Sequence, residues 1–256
     1  VNARPPAVVF RFDETVSERP QGASTLAGLF LISPYDGEPR VDWDRSTIEV
    51  RPRRRWRPNT VYTVSMLPGL VDLRSNVRKD GATAVFSTGP TIPDTRITGI
   101  AFDWVAEKPL PKAFVQAITA DSTIYVTYTD SVGRFTFRHV PAGPLTVLAY
   151  GDANANRIRE PREAYDSTRV VAAEGTGADS VTAPSVELLA FVHDTIGPRI
   201  QSVTVRDSVT LRVEFDKPLQ VGVQLTRSDF TLKRSDSSNV PIAFAETARE
   251  AELTAR

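Results

Sequence analysis

Apolar and polar residues alternate with a period of two along most of this chain, in short runs closed by proline or glycine. The runs Ala7-Val8-Val9-Phe10-Arg11-Phe12, Ser46-Thr47-Ile48-Glu49-Val50 and Val61-Tyr62-Thr63-Val64-Ser65-Met66 are rich in β-branched and aromatic residues. Ser122-Thr123-Ile124-Tyr125-Val126-Thr127-Tyr128 and Arg134-Phe135-Thr136-Phe137 follow the same pattern. Alternation of this kind puts every second side chain on one face of a sheet, so each run predicts a half-buried strand. Pro34, Pro39, Pro52, Pro58, Pro68 and Gly69 interrupt the pattern about every ten residues, as turns between short strands do. Helical periodicity fails except for a single turn at 160–165 and another after Leu225. The expectation is an all-β chain of tandem antiparallel β-sandwich domains. In the first, Phe10, Phe12, Ile48, Val50, Tyr62, Val64 and Phe86 are expected to share one interior.

Two stiff seams divide the chain. Ser87-Thr88-Gly89-Pro90-Thr91-Ile92-Pro93-Asp94 carries two prolines, and His193-Asp194-Thr195-Ile196-Gly197-Pro198 precedes a fresh strand pattern. Such joints bend less than Gly/Ser linkers. They set domains at 1–90, 95–192 and 197–256, the last short enough to read as an incomplete sandwich. Val9-Phe10-Arg11-Phe12-Asp13-Glu14-Thr15-Val16 is echoed by Leu211-Arg212-Val213-Glu214-Phe215-Asp216-Lys217-Pro218-Leu219. Leu29-Phe30-Leu31-Ile32 and Asp229-Phe230-Thr231-Leu232 then follow at similar offsets. The echo relates the first and third segments.

Composition narrows the function classes. The 256 residues are 41 % hydrophobic and 24 % charged, enough for real cores under a soluble surface. Basic and acidic residues balance at 31 each, so no long-range field draws the chain to nucleic acid. Cysteine is absent, which excludes disulfides, thiolate metal sites and cysteine nucleophiles. No run of about 18 apolar residues occurs. The chain opens at Val1 rather than methionine, which leaves room for a signal peptide, lipid-bearing segment or membrane anchor ahead of it.

Phe10-Arg11-Phe12-Asp13-Glu14-Thr15-Val16, Thr47-Ile48-Glu49-Val50-Arg51-Pro52, Trp56-Arg57-Pro58-Asn59-Thr60-Val61-Tyr62-Thr63-Val64, Asp72 and Ala84-Val85-Phe86-Ser87-Thr88 together resemble the bacterial Ig-like domain of surface-layer proteins. The resemblance covers nearly all of 1–90, and 198–232 repeats its opening. The basic Val77-Arg78-Lys79 after Asn76 departs from the family pattern. The middle domain looks like the transthyretin-like sandwich of carboxypeptidase regulatory modules. It does so through Gly133-Arg134-Phe135-Thr136-Phe137-Arg138-His139-Val140-Pro141-Ala142-Gly143-Pro144-Leu145-Thr146-Val147-Leu148-Ala149-Tyr150. Phe135, Phe137, Leu145, Val147 and Ala149 are expected to fill one face, with Pro141-Ala142-Gly143 as the turn. These resemblances imply a multidomain envelope protein and no peptidase.

Three constellations are candidate sites. Asp152, Asn154 and Asn156 alternate along a polar run, with the Ile158 carbonyl, Glu160 and Glu163 following at spacings that suit a calcium ion, which takes six to eight hard oxygens. Arg157 stands where an EF-hand loop places glycine. The competing reading is a polar turn whose asparagines cap their own backbone. Arg51, Arg53, Arg54, Arg55 and Arg57 form a candidate docking edge, against which stands an ordinary solvated rim neutralised by Asp42, Asp44 and Glu49. Trp43, Trp56 and Trp104 are candidate ligand platforms if exposed, and core residues otherwise.

Catalysis finds no frame. His139 and His193 are the two histidines, no nucleophile elbow surrounds any serine, and no phosphate-binding glycine loop occurs. The absence of a catalytic frame points to a non-enzymatic protein, and the resemblances imply an extracytoplasmic one, in the periplasm or at the cell surface of a bacterium, with calcium as its one candidate cofactor. Its expected partner is an envelope protein rather than nucleic acid, with membrane association through that partner or an anchor. A structural or adaptor subunit is the first function class. A carbohydrate or cell-surface ligand-binding module is the second. A periplasmic accessory subunit of a membrane complex, such as a photosynthetic reaction centre, is a further alternative.

Overall fold

A computed structural model describes residues 1–175, 183–194, 197–217 and 225–245. The chain is all-β and separates into two compact units, Val1–His193 and Asp194–Arg256.

The first six strands are β1 (Val8–Arg11), β2 (Phe30–Ser33), β3 (Arg40–Asp44), β4 (Thr47–Arg51), β5 (Val61–Met66) and β6 (Ala82–Ser87). They form two antiparallel sheets, β1-β4-β3 and β2-β5-β6. Alternation decides what faces inward: β4 buries Ile48 and Val50, while Thr47, Glu49 and Arg51 point outward. Tyr62, Val64 and Met66 of β5 and Phe30 and Ile32 of β2 complete the same cluster. Phe10, Phe12 and Phe86 pack against this cluster from partly exposed positions, so all seven expected core residues meet, three of them at its margin.

The next eight strands are β7 (Arg96–Asp103), β8 (Lys108–Pro109), β9 (Phe114–Thr119), β10 (Ile124–Tyr128), β11 (Arg134–Arg138), β12 (Gly143–Tyr150), β13 (Tyr165–Ala172) and β14 (Ser185–Ala190). Sheet β10-β9-β12-β13 faces sheet β11-β7-β14, with β8 paired to β7. Two features differ from expectation. Phe135 and Phe137 lie on one sheet while Leu145, Val147 and Ala149 lie on the other, so the five face each other across the core rather than lining one face. The segment between β11 and β12 crosses between sheets, with His139 in the left-handed region at φ 60° and Gly143, the first residue of β12, at φ 122°. The second difference is that β14 runs parallel to β7. β13 and β14 belong to opposite sheets, so no hairpin dictates the direction of β14. Packing there is close: a Cβ at Gly99 would lie 2.4 Å from Phe135 Cζ and 2.5 Å from the Val186 carbonyl, so only glycine fits.

Within this unit the two sandwiches share a third cluster. Leu31 of β2 is buried with Phe114, Val126 and Tyr150, and Tyr35, Ile124 and Tyr128 pack against them. The main chain joins in, as Tyr35 N–H donates to the Ile124 carbonyl at 2.7 Å and Val126 N–H donates to Ser33 Oγ at 3.0 Å.

The unit Asp194–Arg256 contains a hairpin of β15 (Ile200–Val205) and β16 (Leu211–Phe215) and a short pair, β17 (Leu232–Lys233) and β18 (Asn239–Val240). Thr226 and Asp229 cap each other across the turn after Leu225. The echo of β1 in β16 is strand in both places. Pro218 and Leu219 at its end, and Thr195-Ile196 of the second seam, lie outside the described residues.

Candidate functional site

The polar loop 152–163 leaves the end of β12 and is closed at its neck by Gly151 N–H donating to the Ala164 carbonyl at 3.0 Å. Its oxygens are satisfied from within. Asp152 accepts from the N–H groups of Asn156 at 3.0 Å and Arg157 at 2.8 Å. Asn154 Oδ1 accepts from Asn156 N–H, and Asn156 Oδ1 from Ile158 N–H. Glu163 accepts from Ala153 N–H at 3.1 Å and Glu160 N–H at 2.9 Å. Glu160 accepts from the side-chain amides of Asn154 and Asn156. The candidate ligands thus gather on one loop, each side-chain oxygen group already meeting a loop donor. Among the described residues, no three His, Cys, Asp or Glu side chains stand close enough to hold a metal ion.

Arg157 makes the sharp turn itself, at φ 61°. A left-handed non-glycine residue costs about 1–2 kcal/mol. The offset lies in its side chain, which is only 6 % exposed. The guanidinium donates to the Phe30 carbonyl at 3.0 Å, the Gly28 carbonyl at 2.6 Å and the Tyr128 hydroxyl at 3.0 Å. Hydrogen bonds from a charged donor contribute about 1.5–3 kcal/mol each, so three outweigh the turn. The loop therefore delivers an arginine from the second sandwich into the backbone of the first. In the sequence Arg157 stands against a metal loop, and the only sign of its role there is a charged residue where glycine is easiest.

The aromatic hydroxyls around this junction stay protonated to high pH. Burial pushes Tyr35 and Tyr128 up, with the Arg157 charge pulling both partly back. Burial raises Tyr125 to about 12, and the Asp121 charge adds to the effect. Burial raises Tyr150 too, reinforced by Asp152 and Glu163, and its hydroxyl meets no partner among the described residues.

The arginine edge divides by partner. Arg51 pairs with both Asp42 and Glu49, which removes it and those two carboxylates from the run. Arg53, Arg54, Arg55 and Arg57 are exposed, and Arg57 reaches across to Thr123 Oγ1 at 3.1 Å. Of the three tryptophans, Trp43 is half-buried and donates to the Val16 carbonyl at 3.0 Å. Trp56 is half-buried too, donating to the Pro5 carbonyl at 2.7 Å and packing edge-on against Tyr62 and Phe86. Trp104 is 59 % exposed beside Val105. The histidines hold backbone: His139 Nδ1 lies 2.8 Å from the Pro93 carbonyl, and His193 Nε2 3.1 Å from the Tyr165 carbonyl. The His193 ring also packs 4.1 Å from Tyr165 and 3.9 Å from Phe191, centroid to centroid.

No protein-family model and no curated protein matches the chain. Among solved structures, the major pilin subunit BcpA of Bacillus cereus aligns at 9 % identity and TM-score 0.25, over 71 % of this chain and 56 % of that one. The T6 backbone pilin of serotype M6 Streptococcus pyogenes aligns at 8 % identity and TM-score 0.23, over 66 % and 43 %. The group B streptococcus pilus 2b backbone protein aligns at 11 % and 0.24, over 72 % and 85 %. The chain thus spans about half the length of the first two pilins. Superpositions this loose establish neither a shared fold nor a shared function.

Proposed function

We propose that the chain is a non-catalytic structural or adaptor subunit of a bacterial cell envelope, with Val1–His193 as a stiff two-sandwich spacer and the arginine run 51–57 as its docking edge. The observation that supports it most is the junction, where a buried cluster and the Arg157 guanidinium tie two sandwiches together. A shared core resists bending in a way that a linker cannot. The finer identities belong to the same proposal: surface-layer-type Ig-like at 1–90, transthyretin-like at 95–192 and an incomplete Ig-like segment at 197–256. Trp104, exposed beside Val105, favours a second reading as a carbohydrate or cell-surface ligand-binding module.

The test is fractionation of the bacterium that encodes the chain. It should sediment with the envelope and co-purify stoichiometrically with a larger assembly after solubilisation. The same preparation would identify a membrane-complex host, a photosynthetic reaction centre included. An Arg53→Gln, Arg54→Gln, Arg55→Gln triple variant should be recovered at least about fivefold less, with an unchanged melting curve, because exposed charges act on association more than on folding. Recovery as a free cytosolic monomer overturns the reading, and recovery indifferent to the triple variant overturns the edge.

Calcium enters as a proposal about loop 152–163, supported by the left-handed turn at Arg157 and by Glu163 facing the loop backbone. The ion would replace N–H donors that now occupy Asp152 and Glu163. At ten times a dissociation constant of about 0.1–1 mM, binding to the folded state adds about 1.4 kcal/mol. The melting midpoint is expected to rise by about 3–6 °C in calcium over excess chelator, and the Asp152→Ala, Glu163→Ala double variant should lose that rise. Identical midpoints in calcium and chelator leave the loop a polar turn around Arg157.

A further inference from the structure

The turn joining β4 to β5 is fixed at several points, and none of them uses the guanidinium groups of Arg53, Arg54 or Arg55. The Asp36 carboxylate accepts from Arg53 N–H at 3.4 Å and Arg54 N–H at 2.8 Å. The Tyr62 hydroxyl accepts from Arg57 N–H at 2.7 Å, and Thr88 Oγ1 donates to the Arg57 carbonyl at 2.6 Å. Trp56 pins the centre through the Pro5 carbonyl. Gly37 lies under Arg53, where a Cβ would come within 2.8 Å of the arginine Cδ. The backbone is thus held while the cationic heads are left over. Among the described residues, none of Arg53, Arg54, Arg55 and Arg57 forms an ion pair with a carboxylate. Of the nearby acids, Asp42 and Glu49 pair with Arg51, while Asp36 accepts from two N–H groups and keeps its charge, so three arginines meet one carboxylate there.

Three of these arginines, Arg54, Arg55 and Arg57, line a cavity of about 80 Å³ together with Tyr35, Asp36 and Tyr62. Pockets for whole small molecules run to about 300–1,000 Å³, and a water takes about 30 Å³, so this notch has room for one side-chain head group. It lies at the sandwich junction: Tyr35 packs against Phe114 of the second sandwich at 5.8 Å, and Arg57 reaches Thr123. We propose that the notch is the anchor point for a glutamate or aspartate side chain on an acidic protein segment. The proposal rests on the docking-edge reading above and narrows it to one pocket and one chemistry. Guanidinium forks match a carboxylate in two-point geometry, the half-buried Tyr35 ring offers a surface for its methylene stem, and a pre-held loop loses little entropy on binding. A planar bilayer meets protruding cations, whereas the Arg57 guanidinium is tied to Thr123 Oγ1.

The experiment measures fluorescence anisotropy of a labelled peptide of alternating glutamate and glycine, titrated with the full chain at low and at physiological salt. Arg53 and Arg55 each remove one charge, but only Arg55 lines the notch. Arg55→Gln is expected to weaken binding at least about tenfold and Arg53→Gln less than about threefold, the pattern of an anchor pocket rather than a diffuse field. Equal losses in the two variants overturn the notch and leave the edge. No loss in either, or no binding of the peptide by the unmodified chain, overturns both. Capture by vesicles of about 30 % phosphatidylserine without binding of the peptide also overturns it and assigns the arginines to a lipid surface.

Discussion

Arg157→Ala is expected to destabilise the Val1–His193 unit by about 2–5 kcal/mol, far beyond what an arginine on a polar loop normally contributes. The substitution leaves the buried Phe30 carbonyl and the half-buried Gly28 carbonyl without their donor, and a buried acceptor so orphaned costs about 1–3 kcal/mol, a half-buried one less. Alanine also keeps the left-handed strain at φ 61° while losing everything that offset it. Arg157→Gly should therefore be milder by about 1–2 kcal/mol, since glycine takes that backbone freely. Arg157→Lys should fall between wild type and alanine, because one ammonium cannot reproduce a planar fork reaching three acceptors. Urea unfolding of the three variants against wild type measures the series. An alanine variant within about 0.5 kcal/mol of wild type, the range of ordinary surface substitutions, would show that the guanidinium does not tie the sandwiches.

Phe114→Ala carries the second large effect, about 3–5 kcal/mol. Its ring is fully buried and stands 5.8, 5.1 and 5.6 Å from Tyr35, Tyr128 and Tyr150, centroid to centroid. Removing it opens a cavity in the cluster that joins the sandwiches. Each sandwich keeps its own interior, around Ile48, Val50 and Phe30 in one and Val115, Phe135 and Leu188 in the other. The consequence is a change in cooperativity as well as in stability. The unit Val1–His193 should unfold in one transition in the wild type and in two in the variant, visible by calorimetry. Phe114 packs on Tyr128, whose hydroxyl Arg157 binds, so the Phe114→Ala, Arg157→Ala double variant should lose less than the sum of the singles. A single transition with a loss under about 1 kcal/mol would place the coupling elsewhere.

Residues 51–57 illustrate how far charge patterning reads. Five arginines in seven positions are plain in the sequence, as is the acidity of Asp42 and Glu49. Which guanidinium those acids neutralise depends on strand register. β3 and β4 bring Asp42 opposite Glu49 with Arg51 beside them, so one arginine is satisfied and four are left. Trp43 and Trp56 divide from Trp104 by the same kind of geometry, as their indole N–H groups meet carbonyls at Val16 and Pro5, distant in sequence.

What the sequence determined by itself was local. A two-residue period and regular turn residues are properties of neighbouring positions, and they sufficed for the all-β class, the strands around Ile48, Tyr62, Phe135 and Val147, and part of each core. The tertiary structure alone decided which sheet each strand joins, as the crossing after His139 and the parallel β14 show, because strand direction is settled by long-range pairing. It also decided what Arg157 does. Its partners Phe30 and Gly28 lie 127 and 129 positions away, so within its own loop the residue reads as a misplaced glycine. Only when the second sandwich docks on the first do two backbone carbonyls come within reach of the guanidinium, and the polar loop becomes a tie between sandwiches.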